Sequence, residues 1–354
     1  TQLMVNRMAE KRFHGVRVTE NTDLVTAIND VDSSVIGIVA VADDADTGQF
    51  PLNKPVLITR VSSVLGKAGK AGTLYKALKA ISDQVSTRVI VVRVEAAKEG
   101  AENKTQDQLV IGTTEEDGSY SGMQALLVAE QMEGIGCRPR ILAAPGLESD
   151  AVTAALVTVA GKMRAFAYSG CPGCTKPSDA IAFRKKISGR EIMLLWPDFI
   201  AFNPVSGKNE TFPAAAYACG LRARLDHEQG WHRSLSNMPV KNVLGVSASV
   251  SWSLQDENSD ANTLNNSEVT TLIHQGDGSF RFWGNRTPET AEYIFEVYTR
   301  TAQQLADTIA EAQLQIVDSP LTPANAKDAV SAIKAKLDAL VTAGKLIGAE
   351  CWFD

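Results

Sequence analysis

Four stretches of this chain place chemistry-bearing residues at suggestive spacing. Cys171-Pro-Gly-Cys174 has the CxxC spacing of a dithiol redox pair or of half a zinc site. A structural zinc site needs a second ligand pair, and Cys137, Cys219 and Cys351 each stand alone. A redox pair sits between a strand and a helix N-terminus. The segment Ala165 to Tyr168 supplies a strand, so a thiol-redox protein is one reading and a plain Pro-Gly turn is the other. His227-Glu-Gln-Gly-Trp-His232 sets two imidazoles five residues apart across a glycine, off the four-residue spacing that puts two ligands on one helix face. His227 fits better as a cation at a helix C-terminus. Gly66-Lys-Ala-Gly-Lys-Ala-Gly-Thr73 is glycine-rich and basic but misses the phosphate-loop pattern by one residue. Gly245-Val-Ser-Ala-Ser249 lacks the second glycine of a nucleophile elbow and lies within a strand pattern, where no sharp turn fits. With only His14, His227, His232 and His274 available, no acid–base constellation assembles. The residues therefore supply no catalytic, metal or cofactor-binding site. A hydrolase is the competing enzyme class, and it requires a Ser, a His and an acid to converge in one pocket.

Composition narrows the class further. At 354 residues, 44% hydrophobic and 21% charged, the chain is a globular protein with room for two domains. A formal net charge of −6 argues against nucleic acid as a partner, since that role needs a basic face. No apolar run reaches the length of a membrane span. Five scattered cysteines give no disulfide framework, which fits a cytosolic origin.

The elements that must position any site alternate. Ser34 to Ala42 and Arg88 to Glu95 are continuous apolar runs, as in strands covered on both faces, and a helix over Thr73 to Ile81 separates them. A short helix capped by Ser62 or Ser63 is expected before Gly66, and residues 96–108 read as a polar surface excursion. Helices over Gly122–Glu133, Ser149–Arg164, Asp179–Ile187 (capped by Ser178) and Pro213–Asp226 alternate with strands at Arg140–Ala144, Ala165–Tyr168 and Glu191–Trp196. That alternation predicts a doubly wound α/β domain. Beyond an irregular stretch near 230–242, a smaller α+β unit follows. Its strand Leu244–Ser253 would bury Val246, Ala248, Val250 and Trp252, and a loop Gln255–Asn262 comes next. A hairpin, Glu268–Gln275 and Ser279–Gly284, turns through Gly276-Asp-Gly278. A helix Glu292–Leu314 would pack through Ile294, Phe295, Tyr298, Leu305, Ile309 and Leu314. A helix from Asn325 to Thr342 ends at Gly344, and the last residues alternate like a strand.

Several motifs in order along the chain resemble one family. They include Phe13-His-Gly-Val-Arg17, Phe50-Pro-Leu-Asn-Lys-Pro-Val-Leu-Ile-Thr59, Leu194-Leu-Trp-Pro-Asp-Phe199 and Gly220-Leu-Arg-Ala-Arg224. Glu228 to Asn237, Gly245 to Ser249, Phe280-Arg-Phe-Trp-Gly-Asn-Arg-Thr287, Tyr298-Thr-Arg-Thr-Ala302 and Glu350-Cys-Trp-Phe353 complete the set. Together they resemble the contractile tail sheath proteins of bacteriophages, the P2-like branch in particular, and also the sheaths of R-type pyocins.

The resemblance implies a virion structural protein and not an enzyme, assembled in the bacterial cytoplasm. Its subunits stack as hexameric discs into a helical polymer around an inner tail tube, and they meet a baseplate and a tail terminator. Contraction of that polymer drives the tube through the host envelope and so delivers the genome. The implied division is an N-terminal arm at residues 1–20, an outer subtilisin-like α/β domain at 21–240 and a C-terminal sheath core at 241–354. The subtilisin label concerns shape only. Phe13, His14, Gly15, Val16, Arg17 and Val18 are the expected arm, which adds a strand to a neighbour's sheet. The unfinished sheet at Val269, Thr271, Ile273, Phe280, Phe282 and Trp283 is the expected receiving edge. Lys327, Lys334 and Lys336 are candidates for an acidic tube surface. Family members continue past the Cys-Trp-Phe motif whereas this chain ends at Asp354, so the resemblance implies a shortened form that does not build the full mesh.

Overall fold

The computed structural model describes residues 28, 31–98, 100, 104–115, 118–314, 316–318, 320 and 322–352. Two compact units divide the chain, one spanning Asp30–Glu311 and the other combining Thr1–Asn29 with Ala312–Asp354.

In the larger unit the apolar runs become parallel strands. β1 (Ile36–Val41) is buried along its whole length, as a strand covered on both faces must be. β2 (Val56–Ile58) leads into two 3-10 turns, Val61–Ser63 and Leu65–Lys67, where the expected serine cap is missing because Arg60 holds the N-cap position. α1 (Leu74–Gln84) and the fully buried β3 (Val89–Val94) follow. The expected polar excursion contains a short helix, α2 (Gln106–Ile111), started by a capping box in which Thr105 and Gln108 bond each other's backbone N–H. Residues Gly122–Gln131 wind as a 3-10 stretch.

β4 (Ile141–Ala143) precedes α3 (Asp150–Met163), whose N-cap is Ser149 as expected, accepting from Val152 N at 3.1 Å. β5 (Phe166–Gly170) leads to α4 (Pro177–Arg184), which starts at a proline. Ser178 therefore lies inside its first turn and is not the cap. β6 (Ile192–Leu195) is followed by a hairpin the sequence pattern hides, β7 (Phe199–Asn203) and β8 (Lys208–Phe212). From sequence the strand ends at Trp196, and residues 199–212 carry no assigned element.

Next come α5 (Ala214–Glu228), β9 (Pro239–Val240), β10 (Gly245–Val246), α6 (Asp260–Asn266), β11 (Val269–His274), β12 (Phe280–Trp283) and α7 (Glu296–Gln313). In the other unit, α8 (Pro323–Thr342) is capped by Thr322, buries Leu337 and Leu340, and ends on Gly344 at φ +71, the left-handed position glycine tolerates. The strand expected at the chain's end is absent from the described residues 346–352.

One nine-stranded sheet runs β2-β3-β1-β4-β5-β6-β11-β12-β9, with β3, β1, β4, β5, β6 and β11 mutually parallel. Successive residues of β1 feed opposite layers. Ile36, Ile38 and Ala40 face the core under α1 and α5, while Val39 and Val41 face the core under α3 and α4. A second sheet, β10-β7-β8, is antiparallel. α5 is buried from Ala214 to Leu225, and its small residues let α1 approach closely. A Cβ on Gly220 would meet Ile81 Cα and O and Gln84 Cβ, each at 3.0 Å.

Three expectations meet a different arrangement in the structure. The boundary expected near residue 240 does not separate compact units, because β11 pairs with β6 (Val269 with Leu194, Thr270 with Leu195) and extends the same sheet. The strand expected over Leu244–Ser253 is reduced to Gly245–Val246. Its alternation is nonetheless real: Val246, Ala248, Val250 and Trp252 are half-buried while Ser247, Ser249 and Ser251 are exposed. Beyond Val246 the backbone bonds are scattered: Ser247 N donates to Asp198 O at 2.8 Å, Ser251 N to Asp260 Oδ2 at 3.1 Å, and Ser251 O accepts from Ala261 N at 3.1 Å. The loop expected to run to Asn262 ends earlier, at Ser259, which caps α6.

Candidate functional site

The expected receiving edge is closed from within the chain. β11 is flanked by β6 on one side and β12 on the other, with Thr271, Leu272, Ile273 and His274 opposite Trp283, Phe282, Arg281 and Phe280. Along the outer side of β12, Phe280 and Arg281 pair with Val240 and Pro239 of β9, and Asn237 N donates to Phe282 O at 2.7 Å. Beyond β9, side chains take the backbone: Arg224 Nη2 donates to Pro239 O at 2.5 Å, and Gln84 bonds both N and O of Lys241. The stretch 236–240, read from sequence as irregular, turns back along β12 and completes the sheet. Val269, Thr271, Ile273, Phe280, Phe282 and Trp283 are therefore interior sheet residues rather than an open edge. The arm residues Phe13 to Val18 lie outside the described residues. Lys327 and Lys334, seven apart on α8, share an exposed face; Lys336 is half-buried and lies about 200° around the helix from Lys334.

The most unusual site in the molecule is the inner face of α7. The sequence pattern points Tyr298, Leu305, Ile309 and Leu314 inward, yet Tyr298 is 51% exposed and Leu314 71% exposed. The residues buried instead are Glu296, Thr299, Arg300, Gln303, Gln304, Asp307 and Thr308. They share the helical period of the apolar stripe, offset around the helix. Each named contact satisfies a group that burial would otherwise strand. Thr299 Oγ1 donates to Arg190 O at 2.9 Å, Gln303 Nε2 to Ala165 O at 3.0 Å, and Gln304 Nε2 to Val31 O at 2.6 Å. These carbonyls lie just ahead of β6, β5 and β1, so α7 runs across the N-terminal ends of the parallel strands.

Charges fill the rest of this seam. Arg222 of α5, fully buried, holds Asp226 Oδ1 at 2.8 Å and Glu296 Oε1 at 3.3 Å, while Tyr168 OH donates to Glu296 Oε1 at 2.5 Å. Arg300 pairs with the other oxygen of Asp226. Further along α7, Asp307 pairs with buried Arg140 and takes Arg164 Nη1 at 2.6 Å. Burial, together with the Glu296 charge, raises the Tyr168 hydroxyl well above its usual range, so it stays a donor. Two sequence motifs meet here: Gly220 to Arg224 supplies Arg222, and Tyr298 to Ala302 supplies Thr299 and Arg300. What could have revealed the seam was the i,i+4 pair Arg222–Asp226 in a helix that begins with a run of small apolar residues.

The chemistry-bearing motifs lack the geometry their reactions need. Cys171 and Cys174 are free thiols, and burial raises both pKa values, that of Cys171 well above the ordinary range. α4 begins only at Pro177, so no helix N-terminus stabilises a thiolate. In the glycine-rich loop, Lys70 N and Ala71 N donate to the Asp44 carboxylate at 2.7 and 3.0 Å, which takes the place an anion would need. Gly245 begins a short strand with no elbow. His227 closes α5, and its Nε2 lies 3.4 Å from Thr87 Oγ1. Among the described residues, no group of three or more His, Cys, Asp or Glu could hold a metal, and no helix is long and apolar enough to cross a membrane.

Solved structures show which class of fold this is. The chain superposes on the contracted helical sheath of the anti-feeding prophage with a TM-score of 0.68 at 17% identity, covering 96% of this chain and 86% of that one. It matches the contracted sheath complex of an extracellular contractile injection system (PVC) with a TM-score of 0.67 at 14% identity, covering 97% and 86%. The fold is that of contractile sheath proteins. Residues 118–288 match the phage tail sheath protein central domain, and residues 36–94 match the N-terminal region of domain III of the tail sheath protein Gp18. The chain is 66% identical to the major tail sheath protein of Serratia phage KSP20 over 347 residues, covering 98% of this chain and 87% of that protein. To the tail sheath protein of Escherichia phage P2 it is 48% identical over 344 residues, covering 96% and 86%. The chain belongs to the phage tail sheath protein family: it is a structural component of the virion and not an enzyme.

Proposed function

We propose that this chain polymerises as hexameric discs around an inner tail tube, and that contraction of the polymer drives the tube through the host envelope. The observation that carries this reading is similarity to phage tail sheath proteins along nearly the whole chain. The unit Asp30–Glu311 serves as the outward body. Its run of six parallel strands with helices on both faces supports a subtilisin-like shape used without the chemistry. Phe13 to Val18 act as the arm that adds a strand to a neighbouring subunit. Lys327 and Lys334, exposed together on α8, face an acidic tube surface, with Lys336 a lesser contributor. Baseplate and tail terminator bound the polymer at its ends, and assembly takes place in the host cytoplasm. No cofactor is needed, because the energy lies in subunit placement and the extended polymer persists behind a barrier. Negative-stain microscopy of the chain co-expressed with its phage's tube protein tests this. Six-fold tubes enclosing the inner tube are expected. Unassembled particles only, under conditions where the P2 sheath and tube assemble, would refute it.

A further inference from the structure

We propose that the buried polar face of α7 is a register lock, fixing the helix at one rotation and one axial position so that it moves with the Asp30–Glu311 body as a single rigid piece. All seven buried residues of α7 are polar, whereas Leu305 and Ile309 are half-buried and Tyr298 is mostly exposed. Turning the helix about its axis by roughly half a revolution would give an ordinary amphipathic element with its apolar stripe inward. Apolar contact is non-directional and tolerates such a turn, or a slide of one residue, about 1.5 Å. The polar seam does not. A one-residue slide turns the helix by about 100° and carries Glu296 from Arg222 and Tyr168, Arg300 from Asp226 and Asp307 from Arg140. Arg140 would then be charged and buried without its carboxylate, while Arg222 would lose Glu296 and keep only Asp226 of its own helix. Contacts from Glu296 to Asp307 span about 16 Å of helix, so tilting is resisted as well. Three of the partners are main-chain carbonyls, Ala165 O directly before β5, Arg190 O two residues before β6 and Val31 O in the segment leading to β1.

Buried ion pairs are poor stabilisers compared with well-packed apolar groups, but each wrong register breaks the pairs α7 makes through Glu296, Arg300 and Asp307. The seam is thus suited to specifying position rather than to raising stability. For a subunit that must transmit a contraction, in keeping with the function proposed above, a helix that slips on its body would lose the stroke.

Hydrogen exchange on the unpolymerised chain tests the lock. In the unaltered protein, amides 300–308 of α7 should be protected within about tenfold of those in β5 and β6, opening only with the body. Faster exchange of α7 through its own local opening overturns the proposal. The second arm replaces the cluster by apolar groups: Arg222→Met, Asp226→Leu, Glu296→Leu, Arg300→Met and Tyr168→Phe together. With β5 and β6 unchanged, α7 should lose at least about a hundredfold of protection. An apolar variant that keeps α7 as protected as β5 overturns the lock even if the first arm succeeds. If that variant does not fold, the first arm decides.

Discussion

Replacing Asp307 by asparagine keeps the shape of the side chain and removes its charge from three guanidinium groups. Arg140 is the partner that matters, with its side chain only 7% exposed against 4% for Asp307. Arg164 is 52% exposed, so water can take over its solvation, and Arg138 stands 3.8 Å away. Burial already lowers the Arg140 pKa, with the Asp307 charge opposing that shift, so the carboxylate helps hold the arginine charged. Breaking one partner out of a buried pair costs about 3–5 kcal/mol, and the amide oxygen left by asparagine recovers part of it. We expect a loss of ~3 kcal/mol, equivalent to roughly 5 °C in the thermal midpoint of a unit this size. Differential scanning calorimetry of the unpolymerised chain measures it, with Arg164→Ala as the comparison, expected to cost under ~1 kcal/mol. A shift below about 2 °C for Asp307→Asn would mean that Arg140 finds water, and that the seam is not sealed as the structure shows it.

Gly220→Ala forces a methyl against Ile81 and Gln84 at 3.0 Å, so α1 and α5 must separate; a loss of ~1–3 kcal/mol is expected in urea unfolding. Burial, aided by the charge of Asp198, lifts the Glu148 carboxyl from 4.5 to about 7. The folded chain thus holds that proton more tightly than the unfolded one, and this group's contribution makes stability fall as pH rises from about 4.5 to about 7. Glu148→Gln should therefore gain stability over the parent as pH rises through that window; a difference independent of pH would contradict the assignment. Iodoacetamide near neutral pH should alkylate Cys171 and Cys174 no faster than a free thiol in solution, with Cys171 slowest, and fast labelling of either would restore the redox reading.

The alternating apolar runs were enough to predict a doubly wound α/β arrangement. A strand covered on both faces has no choice but to be apolar throughout, and the local Gly-Asp-Gly turn defines the β11–β12 hairpin. Ser149 as a cap and Gly344 as a stop were legible because capping depends on neighbours in sequence. The motifs from Phe13-His-Gly-Val-Arg17 to Glu350-Cys-Trp-Phe353 pointed to the sheath family for a similar reason: they can be read residue by residue. What the sequence by itself could not determine is whatever depends on a partner distant in the chain. Whether the hairpin edge is open depends on residues 236–240 folding back along β12, and nothing in Ser-Asn-Met-Pro-Val announces that return. The face α7 buries was read wrongly because periodicity measures only where apolar residues lie. Burial of Glu296, Arg300 and Asp307 becomes favourable only once Arg222, Asp226, Arg140 and the strand-end carbonyls have converged on them. Local pattern set the elements, while the tertiary structure decided which polar groups have partners and therefore which face can leave water.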